Sequence, residues 1–322
     1  MGGGRRLGLG AGTRLVVSTE EPVQARNPGP SWGYRFLRLA DKVLPEAVYR
    51  PARAAGTLIA MAGMARQRRH SREYLAAVLG RPPANRDVFR HFFTFEESLM
   101  QRLRVSNGRD VVCEFAPGSE DFRSWLRDGG PVLLGTMHVG ASDLLGFQLV
   151  GRSRAPVYLV REKVGNSHDT EALAAVYGDA LRFLWVNDAS DFIFALKEAA
   201  ASAGAIAIQC DRVSPGIRTE AFRFLGARRL FPFSIYHLSL ILGRPVILSF
   251  GIQAGRTKNL LHCSPRFERR PGEARAEALA RARLHFQGFL DQLEAVLREQ
   301  PWVWFNFLPL NQAVNTPGGS TQ

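Results

Sequence analysis

Short apolar runs alternate with helical segments from Val111 onward, and no other feature of the sequence constrains the fold as strongly. Six runs have the length and composition of strands: Val111–Phe115, Val132–Thr136, Val157–Val160, Arg182–Val186, Ala205–Gln209 and Val246–Phe250. Six segments have helical spacing: Ser119–Arg127, Ser142–Val150, Asp169–Tyr177, Ala189–Ala201, Pro232–Leu242 and Glu273–Arg298. This alternation predicts an α/β fold with a mixed, mostly parallel central sheet flanked by helices. Two further strands are expected to form an addition around Thr219–Leu225 and Asn259–Phe267.

The segment before the predicted sheet has a different pattern, which divides the chain into four parts. Residues 1–30 are rich in Gly, Pro and Arg without periodicity, so we predict a disordered tail there and a second tail at residues 312–322. Apolar spacing predicts an N-terminal helical, membrane-associating segment at residues 31–104 and an α/β domain at residues 105–311. Three helices are expected in the helical segment: one that carries Trp32, Phe36, Leu39 and Val43, one at Val48–Ala65, and one after Arg81-Pro82-Pro83.

The balance of charge favours an anionic partner. The 322 residues include 42 Lys and Arg against 29 Asp and Glu, which gives a net charge of +13. Between Ser31 and Arg72, nine cations stand against two carboxylates, beside the largely apolar helix Val48–Ala65. Apolar helix faces with a fringe of cations are typical of elements that lie on an anionic bilayer surface. An ordinary helical layer packed on the rest of the protein is the alternative interpretation.

Several classes of protein are disfavoured by what the sequence lacks. Cys113, Cys210 and Cys263 are widely spaced without a CxxC pair, so neither a disulfide framework nor a zinc site is expected. No glycine-rich nucleotide-binding motif follows the first strand, and we expect neither a cofactor nor a metal. The most apolar stretch, Ala54–Ala65, is shorter than the roughly 20 residues that a bilayer span needs. The arginines are dispersed and no nucleic-acid-binding module is recognised, so no nucleic-acid partner is expected.

The segment Thr136–Asp143 contains the residues best suited to catalysis. His138 follows the strand Val132–Thr136, at the edge where open α/β sheets bind ligands. Ser142 can cap the helix that follows, and Asp143 falls in the first turn of that helix. A carboxylate bound to one ring nitrogen fixes the tautomer and leaves the other nitrogen to accept a proton. The spacing predicts a His138–Asp143 pair, and a buried histidine bound to a helix N-terminus is the alternative.

Two more polar residues are expected at the same edge of the sheet. Arg161 follows the strand Val157–Val160 and can neutralise a phosphate, or pair with the neighbouring Glu162 at the surface. Asp211 follows the strand Ala205–Gln209 and can hold an acceptor or pair with an arginine. The arginines considered for that pairing are Arg161, Arg212 and Arg218.

These residues resemble the motifs of the bacterial lipid A lauroyl/myristoyl acyltransferase family, a branch of the lysophospholipid and glycerolipid acyltransferases. His138 and Asp143 match the HxxxxD motif of that superfamily. The other similar blocks occur in the family's order: Val157–Arg161, Asp211-Arg212, Phe224-Leu225-Gly226 and Gly243-Arg244-Pro245-Val246. Arg212 stands where the family has Gln, and Phe305-Asn306-Phe307 stands where lipid A enzymes have basic residues. The resemblance covers residues 32–311.

The resemblance implies an acyltransferase that moves a fatty acyl group from acyl carrier protein or acyl-coenzyme A to a hydroxyl or amine of a lipid or glycolipid. It implies that His138 is the general base, that Asp143 orients it, and that backbone N–H groups near Gly140 or the following helix stabilise the oxyanion. The residues implied in substrate binding are Arg161, Asp211, Arg212 and Gly226.

The cationic and apolar segment Ser31–Arg72, together with the expected lipid substrate, predicts a location. The protein is expected to lie peripherally on the cytoplasmic face of the inner membrane, against an anionic membrane surface. Two other functions stay open at this point: a catalytically inactive lipid-binding member of the same family, and a basic nucleic-acid-binding protein.

Overall fold

The computed structural model of the chain describes residues 31–106, 109, 111–140, 142, 156–161, 178–186, 189–213, 217–255 and 258–311. Its strands are β1 (Val112–Phe115), β2 (Val132–Gly140), β3 (Val157–Arg161), β4 (Leu181–Trp185), β5 (Ala205–Gln209), β6 (Thr219–Phe224), β7 (Ala227–Pro232), β8 (Val246–Gln253) and β9 (Lys258–Cys263). Its helices are α1 (Ser31–Val43), α2 (Glu46–Gly63), α3 (Ala65–Leu79), α4 (Asn85–Ser106), α5 (Glu120–Asp128), α6 (Ala189–Ala201), α7 (Ser234–Leu242) and α8 (Arg275–Glu299).

Seven of these strands form one sheet in the order β1-β9-β8-β2-β5-β3-β4. The strands β8, β2, β5, β3 and β4 are mutually parallel, whereas β9 is antiparallel to β8 and β1 is parallel to β9. The predicted α/β class with a mixed, mostly parallel sheet is therefore confirmed. The carboxyl ends of the five parallel strands meet at one edge, which we call the carboxyl edge.

Two details of the strands differ from the sequence-based prediction. The strand that was expected to end at Thr136 continues to Gly140, with an irregular register between these two residues. Strands occur at both Thr219–Leu225 and Asn259–Phe267, but they do not form one addition, because β6 pairs with β7 in a hairpin and β9 joins the main sheet. A two-residue turn brings β6 and β7 together locally, which removes the need for a distant partner.

The hydrophobic core covers both faces of the sheet. Because successive side chains of a strand point to opposite faces, Leu133 and Leu134 of β2 enter different clusters. On one face, α3, α4, α8 and the β6–β7 hairpin pack an aromatic-rich core in which Phe286 and Trp304 are fully buried. On the other face, α5 contributes Phe122 to a smaller cluster.

The N-terminal segment contains four helices where three were predicted, since α3 follows a break at Met64. A network of ion pairs joins α1, α2 and α4. Arg104 lies 2.6 Å from carboxylate oxygens of both Asp41 and Glu46. Arg53, with only 3% of its side chain exposed, binds Glu46 and Glu96. Some of the cations counted in the sequence therefore hold the helices together instead of facing outward.

Several large apolar side chains of α1, α2 and the link between them remain exposed. They are Phe36, Leu39, Val43, Leu44, Val48, Leu58 and Ile59. None of the described helices combines the length and the apolar character that a membrane span requires. The predicted tails, the predicted helix Asp169–Tyr177 and all of Ser142–Val150 except Ser142 lie outside the described residues.

Candidate functional site at the carboxyl edge

His138 lies near the carboxyl end of β2, and its main-chain groups form hydrogen bonds on both sides of the strand. Its N–H donates to Oδ2 of Asp211 at 2.8 Å, and its carbonyl accepts from the N–H of Phe305 at 2.8 Å. The N–H of Gly140 donates to the carbonyl of Val303 at 2.7 Å. The position of the imidazole is thus fixed by β5 on one side and by the C-terminal segment on the other.

Strand register explains why Asp211 comes next to His138. The neighbouring strands β2 and β5 are parallel, and Thr136 pairs with Gln209. The N–H of Cys210 then donates to the carbonyl of Thr136 at 2.8 Å, which extends the ladder beyond the end of β5. Two residues beyond the paired positions, His138 and Asp211 lie side by side at the carboxyl edge, where ligands bind in open α/β sheets.

The two side chains form a close hydrogen bond. Nδ1 of His138 lies 2.7 Å from Oδ1 of Asp211, whose side chain is fully buried, while 15% of the His138 side chain is exposed. An ionised carboxylate can only accept hydrogen bonds, so Nδ1 carries the proton of a neutral His138 ring. The lone pair then lies on Nε2, which is the nitrogen that can accept a proton.

Asp211 is ionised at neutral pH despite its burial. Burial raises the pKa of its carboxyl, but the neighbouring His138 charge and hydrogen bond, the Arg212 cation and the Trp304 indole together lower that pKa to about 2. Opposite charges and donors aimed at a carboxylate favour its charged form. Asp211 therefore has the charge needed to stabilise a protonated His138.

The contacts of Asp211 are internal to the protein. Its Oδ2 also accepts from Nε1 of Trp304 at 2.9 Å, and its main-chain carbonyl accepts from Nδ2 of Asn311 at 3.2 Å. The carboxylate has no exposed surface, so the expected direct contact with an acceptor does not fit this geometry. Its hydrogen bond is made with His138, and of the arginines considered above Arg212 is near enough for its charge to lower the pKa of the carboxyl. Asp143, which the sequence indicated as the partner of His138, lies outside the described residues.

Gly140 is required by the shape of the carboxyl edge. Its φ angle is +46°, and a Cβ at this position would lie 2.6 Å from the carbonyl oxygen of Gly251 in β8. The hydroxyl of Ser142 donates to the carbonyl of Val139 and accepts from the N–H of Gly251, while the helix that it was expected to cap lies outside the described residues. Both residues therefore contact Gly251 of β8 at the end of β2.

The other predicted substrate residues lie in different settings. Arg161 ends β3 at the carboxyl edge, two strands away from β2, and its predicted alternative partner Glu162 lies outside the described residues. At about 4.8 Å between strands, this separation is roughly 10 Å. Arg212 is half-buried, and its Nη2 donates to the carbonyl of Phe305 at 3.3 Å.

Gly226 is explained by a turn. Leu225 and Gly226 form the two-residue loop between β6 and β7, with φ angles of +49° and +74°. Positive φ at both central residues is the conformation of tight hairpin turns, in which glycine is strongly preferred. The predicted substrate contact is therefore not needed to account for this glycine.

Trp304 was missed as a member of the site. The sequence shows a Trp-rich ending, but nothing in it indicates that this indole reaches a carboxylate 93 positions earlier in the chain. Within the described part of the chain, no three His, Cys, Asp or Glu side chains are grouped closely enough to hold a metal ion.

Comparisons with known proteins give little further information. No protein-family model matches the sequence, and no curated protein is significantly similar to it. Among solved structures, the chain is similar to the crystal structure of the 1-acyl-sn-glycerophosphate (LPA) acyltransferase PlsC from Thermotoga maritima. The two share 15% identity and a TM-score of 0.36, over 76% of this chain and 98% of that one. This similarity is too weak to assign an activity to the chain.

Proposed function

We propose that the protein is an acyltransferase that moves a fatty acyl group from an acyl thioester to a hydroxyl or amine of a lipid or glycolipid. The observation that carries the proposal is the hydrogen-bonded pair of His138 and buried Asp211 at the carboxyl edge of the sheet. The resemblance of the His138 segment to the HxxxxD motif of lysophospholipid acyltransferases gives the reaction class.

The pair suits general-base catalysis. Nε2 of His138 takes the proton of the acceptor hydroxyl or amine, whose oxygen or nitrogen attacks the thioester carbonyl carbon. The carbon–sulfur bond of the tetrahedral intermediate then breaks, and the imidazolium returns its proton to the leaving thiolate. Asp211 remains ionised throughout and stabilises the imidazolium, as the carboxylate of a Ser-His-Asp triad does.

The oxyanion donor is not the N–H of Gly140. That group already donates to the carbonyl of Val303 at 2.7 Å. The segment beyond Gly140, from which the other expected donors come, lies outside the described residues apart from Ser142. Arg161, at the same edge, is proposed to bind a phosphate of the donor or acceptor, since guanidinium and phosphate form strong paired hydrogen bonds. Acyl carrier protein and acyl-coenzyme A are the proposed donors, with no cofactor.

We place the protein peripherally on the cytoplasmic face of the inner membrane. Phe36, Leu39 and Val43 of α1 share one helix face, at i, i+3 and i+7, and are 62–69% exposed. Lys42, on the same helix, supplies a cation that can approach anionic headgroups. The helical layer reaches the site, because Ser98 of α4 donates to the carbonyl of Gly140 at 2.8 Å. The Asp41–Arg104 ion pair joins α1 to this same helix α4, so binding of the apolar face of α1 to a membrane would bring the site to its lipid.

The proposal is tested with the purified full-length chain. Dodecanoyl-acyl carrier protein and dodecanoyl-coenzyme A are each incubated with a total bacterial lipid extract, and both released thiol and new acylated lipid are measured. We expect transfer with at least one donor, and a loss of about 10²–10⁴ in rate for His138→Ala. His237→Ala removes another buried imidazole, on α7, and controls for general effects on the fold. Lipid binding without transfer from either donor would support the inactive alternative and overturn the proposal.

A further inference from the structure

We propose that Trp304 is a positioning residue that holds the Asp211 carboxylate in the orientation that His138 requires. The role in catalysis rests on the proposed function, whereas the positioning itself does not. The side chain of Trp304 is fully buried, and Nε1 donates to Oδ2 of Asp211 at 2.9 Å.

Within the described part of the chain, three donors reach the two carboxylate oxygens of Asp211. Oδ1 accepts from the imidazole of His138, and Oδ2 accepts from the main-chain N–H of His138 and from the indole of Trp304. A buried charge is stable only when donors replace its lost hydration. The indole is the only one of these three donors that does not come from His138, so it fixes the carboxylate independently of the base.

The main chain around Trp304 fixes the base as well. Val139 and Trp304 form an isolated antiparallel bridge, in which the N–H of Phe305 donates to the carbonyl of His138. The neighbouring Val303 carbonyl accepts from Gly140 at 2.7 Å. One short stretch, residues 303–305, thus sets the positions of both members of the pair.

Helix α4 anchors Trp304 from the opposite side. Nε2 of the fully buried His91 lies 2.9 Å from the carbonyl of Trp304, and its Nδ1 lies 2.8 Å from the hydroxyl of Ser71. Burial lowers the pKa of His91 to about 4, so the ring is neutral at pH 7. A carbonyl can only accept, so Nε2 carries the proton and Nδ1 accepts from Ser71. The rings of Tyr74 and Phe224 pack against the indole in T-shaped contacts, with ring centroids 5.1 and 5.4 Å from that of Trp304.

Trp302 provides a matched control in the same segment. Its ring is half-buried under Arg90, whose guanidinium lies 3.5 Å from the ring centroid. Its indole makes no hydrogen bond to Asp211. Trp304→Phe and Trp302→Phe therefore make the same chemical change two residues apart, and only the first removes a donor from the carboxylate.

The first test measures the hydrogen bond itself, without any activity. The Nδ1–H proton of His138 is followed by NMR and assigned by its loss in His138→Ala. We expect Trp304→Phe to shift or broaden this signal and Trp302→Phe to leave it unchanged. An unchanged signal in Trp304→Phe would overturn the positioning role, whatever reaction the protein catalyses.

The second test measures rates with the dodecanoyl thioesters. We expect Trp304→Phe to lower kcat about 10–100-fold with little change in KM, because a misplaced partner affects the protonated base more than substrate binding. In an Asp211→Asn background the same change should have no further effect on kcat, since the indole acts through that carboxylate. Equal losses in both backgrounds would overturn the proposal. If Trp304→Phe does not fold, replacement of Trp304 by β-(3-benzothienyl)alanine keeps the ring shape and removes only the N–H.

Discussion

Nδ1 of His138 lies 2.7 Å from Oδ1 of Asp211, a carboxylate 73 positions further along the chain. The sequence pattern indicated Asp143, five residues after the histidine, as the orienting group. The observed contact brings in a second carboxylate, from just beyond the end of a neighbouring strand, while Asp143 lies outside the described residues. Because the carboxylate is buried, its hydrogen bond is shielded from water and is stronger than an exposed one.

Asparagine at the two candidate positions separates their roles. We expect Asp211→Asn to lower acyl transfer by roughly 10²–10⁴, because the amide no longer stabilises the imidazolium. The double variant with His138→Ala should be no slower than His138→Ala alone, since the two residues act as one unit. Asp143→Asn, measured in the same thiol-release assay, is expected to lose less. Full activity of a folded Asp211→Asn protein would contradict the assignment.

Two glycine substitutions distinguish a crowded position at the end of β2 from an open hairpin turn. Gly140→Ala places a Cβ at 2.6 Å from a backbone oxygen in addition to a φ of +46°, so we expect a loss of about 2–3 kcal/mol in unfolding free energy and reduced transfer. Gly226→Ala meets nothing within 4 Å and has only its φ of +74° to accommodate. It should lose about 1 kcal/mol and keep its kcat/KM. A fall in kcat/KM at unchanged stability would instead restore the predicted substrate role of Gly226.

His91 should make the stability of the protein depend on pH. Its pKa is about 4 in the folded protein and 6.5 in the unfolded chain, so the unfolded state binds more protons between these values. Stability is then fully present above pH 6.5 and falls as the pH falls toward 4, by about 2 kcal/mol at pH 5. Urea unfolding at pH 7 and pH 5 measures the effect. His91→Gln should remove this part of the difference, and an identical pH dependence in both proteins would contradict the assignment.

The apolar face of α1 is tested by charge substitution. We expect Leu39→Glu to weaken binding to vesicles of anionic phospholipid, because it places a charge at the inserted face. Leu284→Glu is the matched control, since Leu284 is 75% exposed on α8 but belongs to a different surface. Added salt should reduce binding only in part, as apolar insertion resists screening. Equal sedimentation of the two variants with vesicles would argue against α1 as the membrane contact.

Leu58 and Ile59 of α2 are tested separately in the same vesicle-binding assay. The two side chains are 49% and 77% exposed, so their joint replacement by Glu tests whether α2 also contacts the membrane. Weaker vesicle binding in this variant as well would extend the contact from α1 to α2. If Leu39→Glu alone weakens binding, the contact is limited to α1. A change in the oligomeric state of either variant would instead indicate that the face binds a second copy of the chain.

The apolar periodicity of the sequence was sufficient to predict most strands. The strand Ala205–Gln209 has the predicted bounds, and the class of the sheet was confirmed, because buried parallel strands are short continuous apolar runs. The helix α3 was not predicted, although the predicted end of the preceding helix at Ala65 lies close to its observed end at Gly63. The end of β2 was also placed too early, because its last residues pair with β8 in an irregular register and form a bridge to the C-terminal segment.

The sequence by itself determined the fold class and identified His138, since both follow from local properties: apolar spacing, strand length and the position of a histidine after a strand. Only the tertiary structure decided what the histidine binds. Asp211 and Trp304 are 93 positions apart, and neither has a local signal for the other. They meet because strand order places β5 beside β2 and the C-terminal segment closes over the same edge, and both depend on how the whole core packs.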